Sequence, residues 1–506
     1  MAQEQSSARE HWSSGVWPQL LPELAERILD RMDRNDIAAT FRLVNKATAE
    51  HFSGPLHTII HLSEPVPLYA FAAHWLTPGA TRGLTLERRK KLVRLVAASG
   101  VLPNLEVALQ AVGFVGAART AFLAAAGAGQ LSTCQWLWNH SRGRAEAPLD
   151  ACSTDDALDS AAGGGHRRVC EWLLSTLHST LQHEAAFAAA RGGHGDLAEW
   201  LLRRLPTGAG DSESNLTYLC EMAHGCDLPT LQQTWLRFSS VQTLARWRPV
   251  LRYAACSPTP DWAAKVEWLE AQGCPLCAEV AESAAAHPDD GEALARLTWL
   301  LRGRGYPVEG RAVHAAACRG NTAALQYLLS EVPPAGNDRD AVAVDVVAEG
   351  GHLAALQALH AAGWLAGPLW ADEPAALDEK LFAAAAESGS VELLAWLRER
   401  SCPWDGCAYQ GAAGSGCEAA LEWLAERGCP LTELGVPRGP AGSVFLEVAR
   451  SFRSVAPLPA LRWLLEEGCP VDYEDAVYQV SLWWRPNRSY DVLWLLREHL
   501  GRRPAG

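Results

Sequence analysis

The sequence predicts an all-α solenoid, a curved stack of similar helix pairs, and three observations support this prediction. Residues 416–430, GCEAALEWLAERGCP, place their apolar side chains at the spacing of one buried helix face. The same frame, or its second half, recurs along the chain as a mostly aromatic anchor residue followed by Leu. Twelve anchors between residues 136 and 494 lie on average about 33 residues apart, a period typical of repeat arrays.

Each repeating helix is predicted to be short and to lie between two turns. In the clearest copy, Gly416 opens the unit and Gly428 closes it shortly after Trp423. Glycine suits both ends, because a tight turn and a left-handed helix cap favour a residue without a side chain. Pro430 then stops the helix, since proline has no N–H and a fixed φ.

The aromatic anchors are predicted to pack in the core between neighbouring repeats. They lie among Leu and Ala on the apolar side of the helix, and burying one aromatic side chain removes about 200 Å² from water. A row of tryptophans could instead stack sugars or bases, but the apolar surroundings favour core packing. The predicted repeat-core residues are Trp136, Trp172, Trp200, Trp268, Trp299, Tyr327, Trp396, Trp423, Trp463 and Trp494.

This frame resembles the ankyrin repeat, whose second helix begins at a Gly-His turn, runs through a pair of leucines and ends at Gly. Alanine runs a few residues before the turns match the short first helix of that family. His314 lies where the Thr-Pro-Leu-His motif of the family has its His, although the rest of that motif is missing. The resemblance implies an ankyrin-type helical solenoid of about 12 repeats over residues 91–506. The Gly-His turn itself is matched by Gly165-His166, Gly193-His194 and Gly351-His352.

Residues 17–56 are predicted to form a small helical domain in front of the array, and they resemble an F-box. The matching residues are Leu21-Pro22-Glu23-Leu24, Ile28-Leu29, Asp36-Ile37 and Val44-Asn45-Lys46. Asn45 and Thr48 replace the Cys and the Trp of the family motif. Interpreted without the resemblance, this domain is a helical cap on the first repeat. The resemblance implies docking on a Skp-type adaptor of cullin–RING ubiquitin ligases, through Leu21, Pro22, Leu24, Ile28, Leu29, Ile37 and Val44.

Two further regions complete the predicted organisation. Residues 1–16 are polar and predicted to be disordered, and residues 57–90 form a proline-rich connector. The basic cluster at 88–91 is interpreted as the solvated start of a repeat helix, with a nuclear import signal as the alternative. Insertions between repeats are expected to emerge as loops on one edge of the solenoid, at residues 141–155, 204–216, 237–250, 331–340, 365–377 and 432–443.

The composition is that of a folded protein, with 48% hydrophobic and 20% charged residues. The net charge of −14 predicts that neither nucleic acid nor an anionic membrane is a partner, because both attract basic surfaces. The sequence contains no run of about 18 consecutive apolar residues, so no membrane span is predicted. The first residues lack the pattern of a secretory signal. The fourteen cysteines are expected to be reduced, which favours the cytoplasm or the nucleus.

Motifs for chemistry are absent from the sequence. Neither a phosphate-binding GxxxxGK[ST] loop nor a zinc-binding HExxH helix occurs. Cys274 and Cys277 form a single CxxC pair, without the second pair that a zinc site needs. The histidines at positions 166, 194, 314 and 352 are interpreted as hydrogen-bonding residues of the repeat turns. The sequence therefore predicts no metal, no cofactor and no enzyme active site.

These observations favour a non-enzymatic protein–protein interaction module. We expect a protein target on the concave face of the solenoid, and adaptor docking would make the chain the substrate-recognition subunit of a cullin–RING ubiquitin ligase. A plain ankyrin scaffold without a ligase role is the alternative. A sphingomyelin phosphodiesterase-related enzyme is the remote alternative, because that chemistry needs a metal-binding cluster of acidic residues and histidine that the sequence does not show.

Overall fold

Short helices joined by tight turns make up the computed structural model. The residues that it describes are 27, 31–43, 46–142, 149–205, 212–238, 247–333, 342–365, 377–431, 444–451, 457–469, 471–483 and 490–502. Within these ranges there is no β-strand, and one isolated bridge pairs Phe114 with Pro457. The predicted all-α repeat fold is therefore confirmed, whereas the ankyrin type stays a prediction. Most of the expected insertion loops lie outside the described residues.

The described part of the N-terminal region includes four short helices and one 3-10 turn. Asn35 connects them to the following segment, because its amide donates hydrogen bonds to the carbonyls of His61 and Pro65, each at 2.8 Å. Asn104 of the first repeat reaches back in the same way, to the carbonyl of Val66 at 2.8 Å. The elements are α1 (Arg34–Ala39), the 3-10 turn (Phe41–Leu43), α2 (Lys46–His51), α3 (Pro55–Thr58) and α4 (Leu68–Trp75).

Thirteen helix pairs follow in the described part of the chain, each with a first and a second helix. The first helices are α5 (Leu86–Ser99), α7 (Ala117–Gly127), α9 (Ala151–Gly163), α11 (His183–Arg191), α13 (Ser212–Gly225), α15 (Arg248–Ala255), α17 (Ala278–Ala285), α19 (Gly310–Arg319), α21 (Val344–Glu349), α23 (Glu379–Glu387), α25 (Cys407–Ser415), α27 (Val444–Ser451) and α29 (Tyr473–Trp483). The second helices are α6 (Leu102–Val112), α8 (Leu131–Arg142), α10 (Arg167–Thr176), α12 (Gly195–Leu202), α14 (Leu228–Phe238), α16 (Trp262–Ala271), α18 (Asp290–Thr298, continued by a π-helical turn Trp299–Gly303), α20 (Thr322–Glu331), α22 (Leu353–Ala361), α24 (Val391–Glu399), α26 (Glu418–Glu426), α28 (Leu458–Glu466) and α30 (Tyr490–Arg502).

Alanine explains why the first helices lie close together. On α11, Ala185, Ala186, Ala189 and Ala190 are fully buried, and small side chains at a contact allow two helix axes to approach. Each first helix packs directly on the next one along the array, whereas neighbouring second helices touch less. The first helices therefore form the inner row of a curved array, and the second helices form the outer row.

The Gly-His turns join each repeat to the next. Gly129 has φ of 74°, and a Cβ atom placed on it would lie 2.4 Å from Nδ1 of His166 in the following turn. His352 packs on Gly320 in the same manner. Glycine is thus needed there for its backbone conformation and for the close approach of the histidine ring. Repeats without this histidine use another polar side chain, as when Asn321 donates to the carbonyl of Ala285 at 2.8 Å.

The aromatic anchors lie on the second helices, and some contact the neighbouring second helix, as when the rings of Trp235 and Trp268 meet at 5.4 Å. Most of them are partly buried and pack against the continuous hydrophobic core: Trp136, Trp172, Trp200, Trp268, Trp299, Tyr327 and Trp463. Trp396 and Trp423 are only 7% exposed. Trp494 differs, because it is 59% exposed on α30, the last helix of the described chain.

The inner row returns to its own beginning. Eleven first helices, α5 to α25, contact one another in order, and α25 in turn contacts α5. We call this closed circuit the ring, and the contact of α5 and its neighbours with α25, α26 and α28 the seam. The last two helix pairs continue beyond the seam, where α27 packs on α25 and α29 on α27.

Candidate functional site at the seam and the inner row

Arg89 of α5 forms the centre of the seam. Its side chain is 2% exposed, and its Nη2 donates a hydrogen bond to Oε1 of Glu418 on α26 at 3.0 Å. The other guanidinium nitrogens donate within the first repeat, Nε to the carbonyl of Leu84 at 3.1 Å and Nη1 to the carbonyl of Val112 at 3.0 Å. One buried cation therefore ties together both helices of the first pair and the eleventh pair.

Electrostatics make the Arg89–Glu418 pair costly to break. Burial lowers the pKa of the Arg89 guanidinium, and the hydrogen bond and negative charge of Glu418 oppose that shift. Because arginine stays protonated in proteins, removing Glu418 would leave a buried charge without its counter-ion. A second ion pair, Arg82 with Glu422, flanks the first one but is more exposed, at 54% and 28%. Exposed pairs of this kind contribute less and are screened by salt.

Turn glycines of late repeats receive the beginning of α5. A Cβ atom on Gly389 would lie 2.7 Å from Cγ2 of Thr85, and one on Gly416 would lie 3.4 Å from the backbone nitrogen of Leu86. In three earlier repeats the equivalent turn glycine, Gly129, Gly165 or Gly320, faces a histidine of the next repeat. The seam thus uses the repeat turn itself to accommodate a helix from the other end of the array.

A cleft of about 810 Å³ opens beside the seam. One side is the start of α5, and the other consists of the turns before α22, α24 and α26. Thr85 and Ser390 cap two of the helices that begin here, by accepting hydrogen bonds from the amides of Arg88 and Leu393. Acidic residues stand in the first turns of α5, α24 and α26, which is the favourable end of the helix dipole for a negative charge.

The cleft carries charges of both signs. Arg88 and Lys90 line it together with Glu349, Glu387 and further carboxylates. Burial raises the pKa of Glu387, and the nearby charge of Glu349 adds to that shift. Four glutamates and two basic residues line the cleft, so its lining is acidic overall, and it lies between the two ends of the ring.

An acidic patch lies farther along the inner row, on α9 and α11. Burial raises the pKa of Asp159 to about 6, and the charges of Glu184, Asp156 and Asp155 add to the effect. Arg119 of α7 pairs with Asp156 across the neighbouring first helices. The exposed side of the inner row thus carries both paired and unpaired charges, with carboxylates concentrated on α9 and α11.

A third polar cluster lies deeper, between α13 and α16. Burial lowers the pKa of His224 to about 4, and the positive charges of Arg191 and Lys265 lower it further. Lys265 is fully buried and donates to the carbonyl of Ala223 at 2.9 Å. Sγ of Cys256 lies 3.6 Å from Nδ1 of His224, but burial raises the pKa of this thiol. A protonated thiol is a weak nucleophile, so the cluster has the character of a structural network.

Metal-binding and thiol chemistry find little support among the described residues. The ranges that the structure describes contain no group of three or more His, Cys, Asp or Glu side chains able to hold a metal ion. No disulfide joins any of the fourteen cysteines, all of which lie in the described ranges. Burial raises the pKa of Cys134 and Cys170 to about 12. No helix in the described ranges is both long and apolar enough to cross a membrane.

The predicted adaptor-binding residues are mostly outside the described part of the chain. This applies to Leu21, Pro22, Leu24, Ile28, Leu29 and Val44. Ile37 is described and is 4% exposed, in a small separate core with Phe52. Its side chain therefore packs inside the N-terminal domain. Large apolar side chains that are exposed in this domain include Leu43 at 75% and Leu56 at 77%.

The residues of the seam did not stand out in the sequence. The basic cluster 88–91 was expected to be solvated, and this is wrong for Arg89, which is buried against Glu418. One signal could have indicated this position. Arg89 lies three residues before Leu92 and four before Val93, on the same helical face as the buried side chains of α5.

The comparisons with known proteins are consistent with a repeat fold only. No family model matches the sequence, and no curated protein matches it. The solved structure of the pentatricopeptide repeat protein PPR10 from maize matches with 10% identity over 90% of this chain and 76% of that chain, at a TM-score of 0.24. The same protein in complex with an 18-nt psaJ RNA element matches with 11% identity over 93% and 86%, at a TM-score of 0.23.

The class that follows from the fold and the seam is a helical repeat solenoid. One expectation needs correction here. The net charge of −14 led to the exclusion of nucleic acid as a partner, and this exclusion is overturned, because the matches include RNA complexes of a helical repeat protein. At TM-scores of 0.23 and 0.24 the likeness carries no argument about what this chain itself binds.

Proposed function

We propose that the chain is a non-enzymatic binding scaffold that holds a macromolecular ligand along its inner row of helices. The observation that carries the proposal is the continuous circuit of eleven first helices, closed at the seam by Arg89 and Glu418. Repeat stacking produces an extended concave surface in which each unit contributes a few exposed side chains. Such a surface is suited to hold a long ligand at many points, and none of the polar clusters described above has the arrangement of an active site.

Charged pairs on the inner row give the proposal a direct test. Arg119 pairs with Asp156 between two first helices, at 32% and 47% side-chain exposure. Glu199 of the second helix α12 pairs at 2.6 Å with Arg203, which directly follows that helix, and this pair serves as the matched control. Ligands captured by the full chain should be identified both as proteins and as RNA, with crosslink sites mapped on the chain. We expect crosslinks on first helices and weaker capture by Arg119→Ala, with no change for Arg203→Ala.

Crosslinks confined to second helices, or equal losses in both variants, would contradict an inner binding face. Capture of RNA and capture of protein are distinguished by nuclease and protease treatment of the same sample. The binding function fails if neither treatment releases a specific ligand from the full chain.

A second candidate function rests on the resemblance of residues 21–46 to the F-box motif. We propose that the N-terminal domain connects the array to a cullin–RING ubiquitin ligase, so that the ligand of the array becomes the substrate. Affinity purification with two baits separates the two functions. The first bait is the full chain, and the second is the full chain with Leu21, Leu24 and Ile28 changed to Ala. The role in ubiquitination requires that ligase subunits co-purify with the first bait and not with the second. If neither bait captures them, the scaffold function alone stands.

A further inference from the structure

The seam differs in kind from the other joints of the ring. Neighbouring first helices elsewhere are connected by about one repeat of chain and are packed through buried Ala and Leu. Arg89 and Glu418 are separated by 329 residues. Their contact depends on two ion pairs, two turn glycines and the short bridge between Phe114 and Pro457. The two sides of the seam are thus far apart in the chain, whereas one repeat of chain connects the two sides of each other joint in the ring.

We propose that the seam is a reversible clasp, at which the array opens and closes to control access of a ligand to the inner row. The inference rests on the proposed binding function for its purpose. The opening itself is a property of the free chain and can be measured without a ligand. A small local change can alter a large structure when it acts on an element that has two discrete arrangements. In this proposal that element is the seam, with one open and one closed arrangement.

The hydrogen bonds of Arg89 are divided in a way that suits a clasp. Two of its acceptors, the carbonyls of Leu84 and Val112, belong to the first repeat and stay with Arg89 when the seam opens. The third acceptor, Glu418, belongs to the other side and is already 23% exposed. The two carbonyls therefore keep the guanidinium oriented towards Glu418 while the seam is open, so that the pair can form again on closing. Opening exposes the Glu418 carboxylate to water, which solvates it.

The shape of the seam supports the same interpretation. The turn at Gly389 leaves room for Thr85, and the turn at Gly416 leaves room for Leu86. Elsewhere at the seam, Cγ of Pro459 on α28 lies 3.1 Å from the position that a Cβ atom on Gly113 would take. These are contacts between turns and helix ends, a geometry in which the two sides can separate as rigid bodies.

The test compares two glutamates of the same helix in the full chain. Glu418→Gln removes the counter-ion of Arg89, while Glu426→Gln makes the same change at a residue whose nearest cation is its exposed neighbour Arg427 at 4.0 Å. Amide hydrogen exchange and small-angle X-ray scattering report on opening. We expect amides of α5 and α26 to exchange roughly tenfold faster in Glu418→Gln, with a larger radius of gyration and unchanged exchange in α11 and α13. Glu426→Gln should match the wild type.

A charge exchange at the flanking pair keeps the inference testable should Glu418→Gln fail to fold. Arg82→Glu and Glu422→Arg should each accelerate exchange at the seam, and the double variant should restore the wild-type rate because the pair is re-formed with opposite signs. The clasp is overturned if Glu418→Gln and both single variants exchange like the wild type. It is also overturned if exchange rises equally along the whole array, since that result indicates general destabilisation.

Discussion

The side chains of Arg89 and Glu418 meet at 3.0 Å although 329 residues separate them in the chain. This contact makes the first helix pair a neighbour of the eleventh, so the array is closed by a tertiary contact that local sequence does not encode. In an open solenoid the end repeats have only one neighbour and require polar caps. Here the first repeat gains a second neighbour at the seam, which gives the chain an internal solution to the exposed end of the stack.

Two aromatic anchors on second helices differ in burial, and this difference predicts different costs for removing them. Trp396 is 7% exposed in the core, whereas Trp494 is 59% exposed on the last helix. Trp396→Ala should lower the free energy of unfolding by about 3–5 kcal/mol, because it leaves a cavity. Trp494→Ala should cost less than about 1 kcal/mol, as expected for a largely exposed site. Urea unfolding followed by circular dichroism measures both, and equal losses would show that Trp494 is covered in solution.

The Gly-His turns predict a difference between two glycines of the same backbone conformation. Gly129 and Gly428 have φ of 74° and 76°, but only Gly129 faces a side chain, that of His166. Gly428→Ala should cost about 1–2 kcal/mol for the left-handed conformation alone. Gly129→Ala should cost about 1–3 kcal/mol more, because its Cβ atom would overlap the histidine ring.

The steric part of that difference can be separated with a second change. In a His166→Ala background, Gly129→Ala should cost no more than Gly428→Ala does in the wild type, as judged by the same urea unfolding. If the cost of Gly129→Ala is unchanged by removing the ring, the contact with His166 is not what requires glycine.

Much of the repeat could be predicted from the sequence, and the seam could not. The spacing of Ala, Leu and Gly determines the helix pairs and their turns, because these depend on residues within one repeat or its neighbour. Arg89 was expected to be solvated on the basis of its basic neighbours. Its burial depends on a helix 329 residues away, and whether a curved stack closes depends on the small rotation between all of its repeats. The sequence pattern of one repeat does not specify the total rotation that accumulates over all of the repeats.

The acidic patch of the inner row predicts a stability that rises on mild acidification. The pKa of Asp159 is about 6, raised from its ordinary value of 3.8 by burial first and then by neighbouring carboxylates. The folded state therefore binds a proton more tightly than the unfolded state, and stability increases as pH falls from above 6 towards 4. Asp159→Asn should stabilise the chain at pH 7 by about 1–2 kcal/mol, after allowance for solvent screening of a partly exposed group.

Urea unfolding of Asp159→Asn at several pH values measures this gain. The gain should shrink as pH falls through 6, because the wild-type carboxyl then becomes neutral as well. Asp196→Asn, on the exposed surface of α12, is the matched control for loss of a carboxylate. A gain that is independent of pH would contradict the role assigned to the charge of Asp159.

His224 predicts the opposite response to pH. Burial, with the positive charges of Arg191 and Lys265, lowers its pKa from the ordinary 6.5 to about 4. The unfolded state then binds the proton more tightly, so stability is undiminished above 6.5, declines as pH falls below that value and reaches its full loss near 4. We expect this loss to amount to about 1–2 kcal/mol, since the ring is only partly buried.

His224→Gln should remove that part of the pH profile while keeping a polar side chain beside Cys256. The exposed substitution His360→Gln on α22 is the control for loss of an imidazole, and the difference between the two profiles isolates the buried ring. A wild-type profile retained in His224→Gln between pH 6.5 and 4 would mean that another group causes the acid sensitivity of the array.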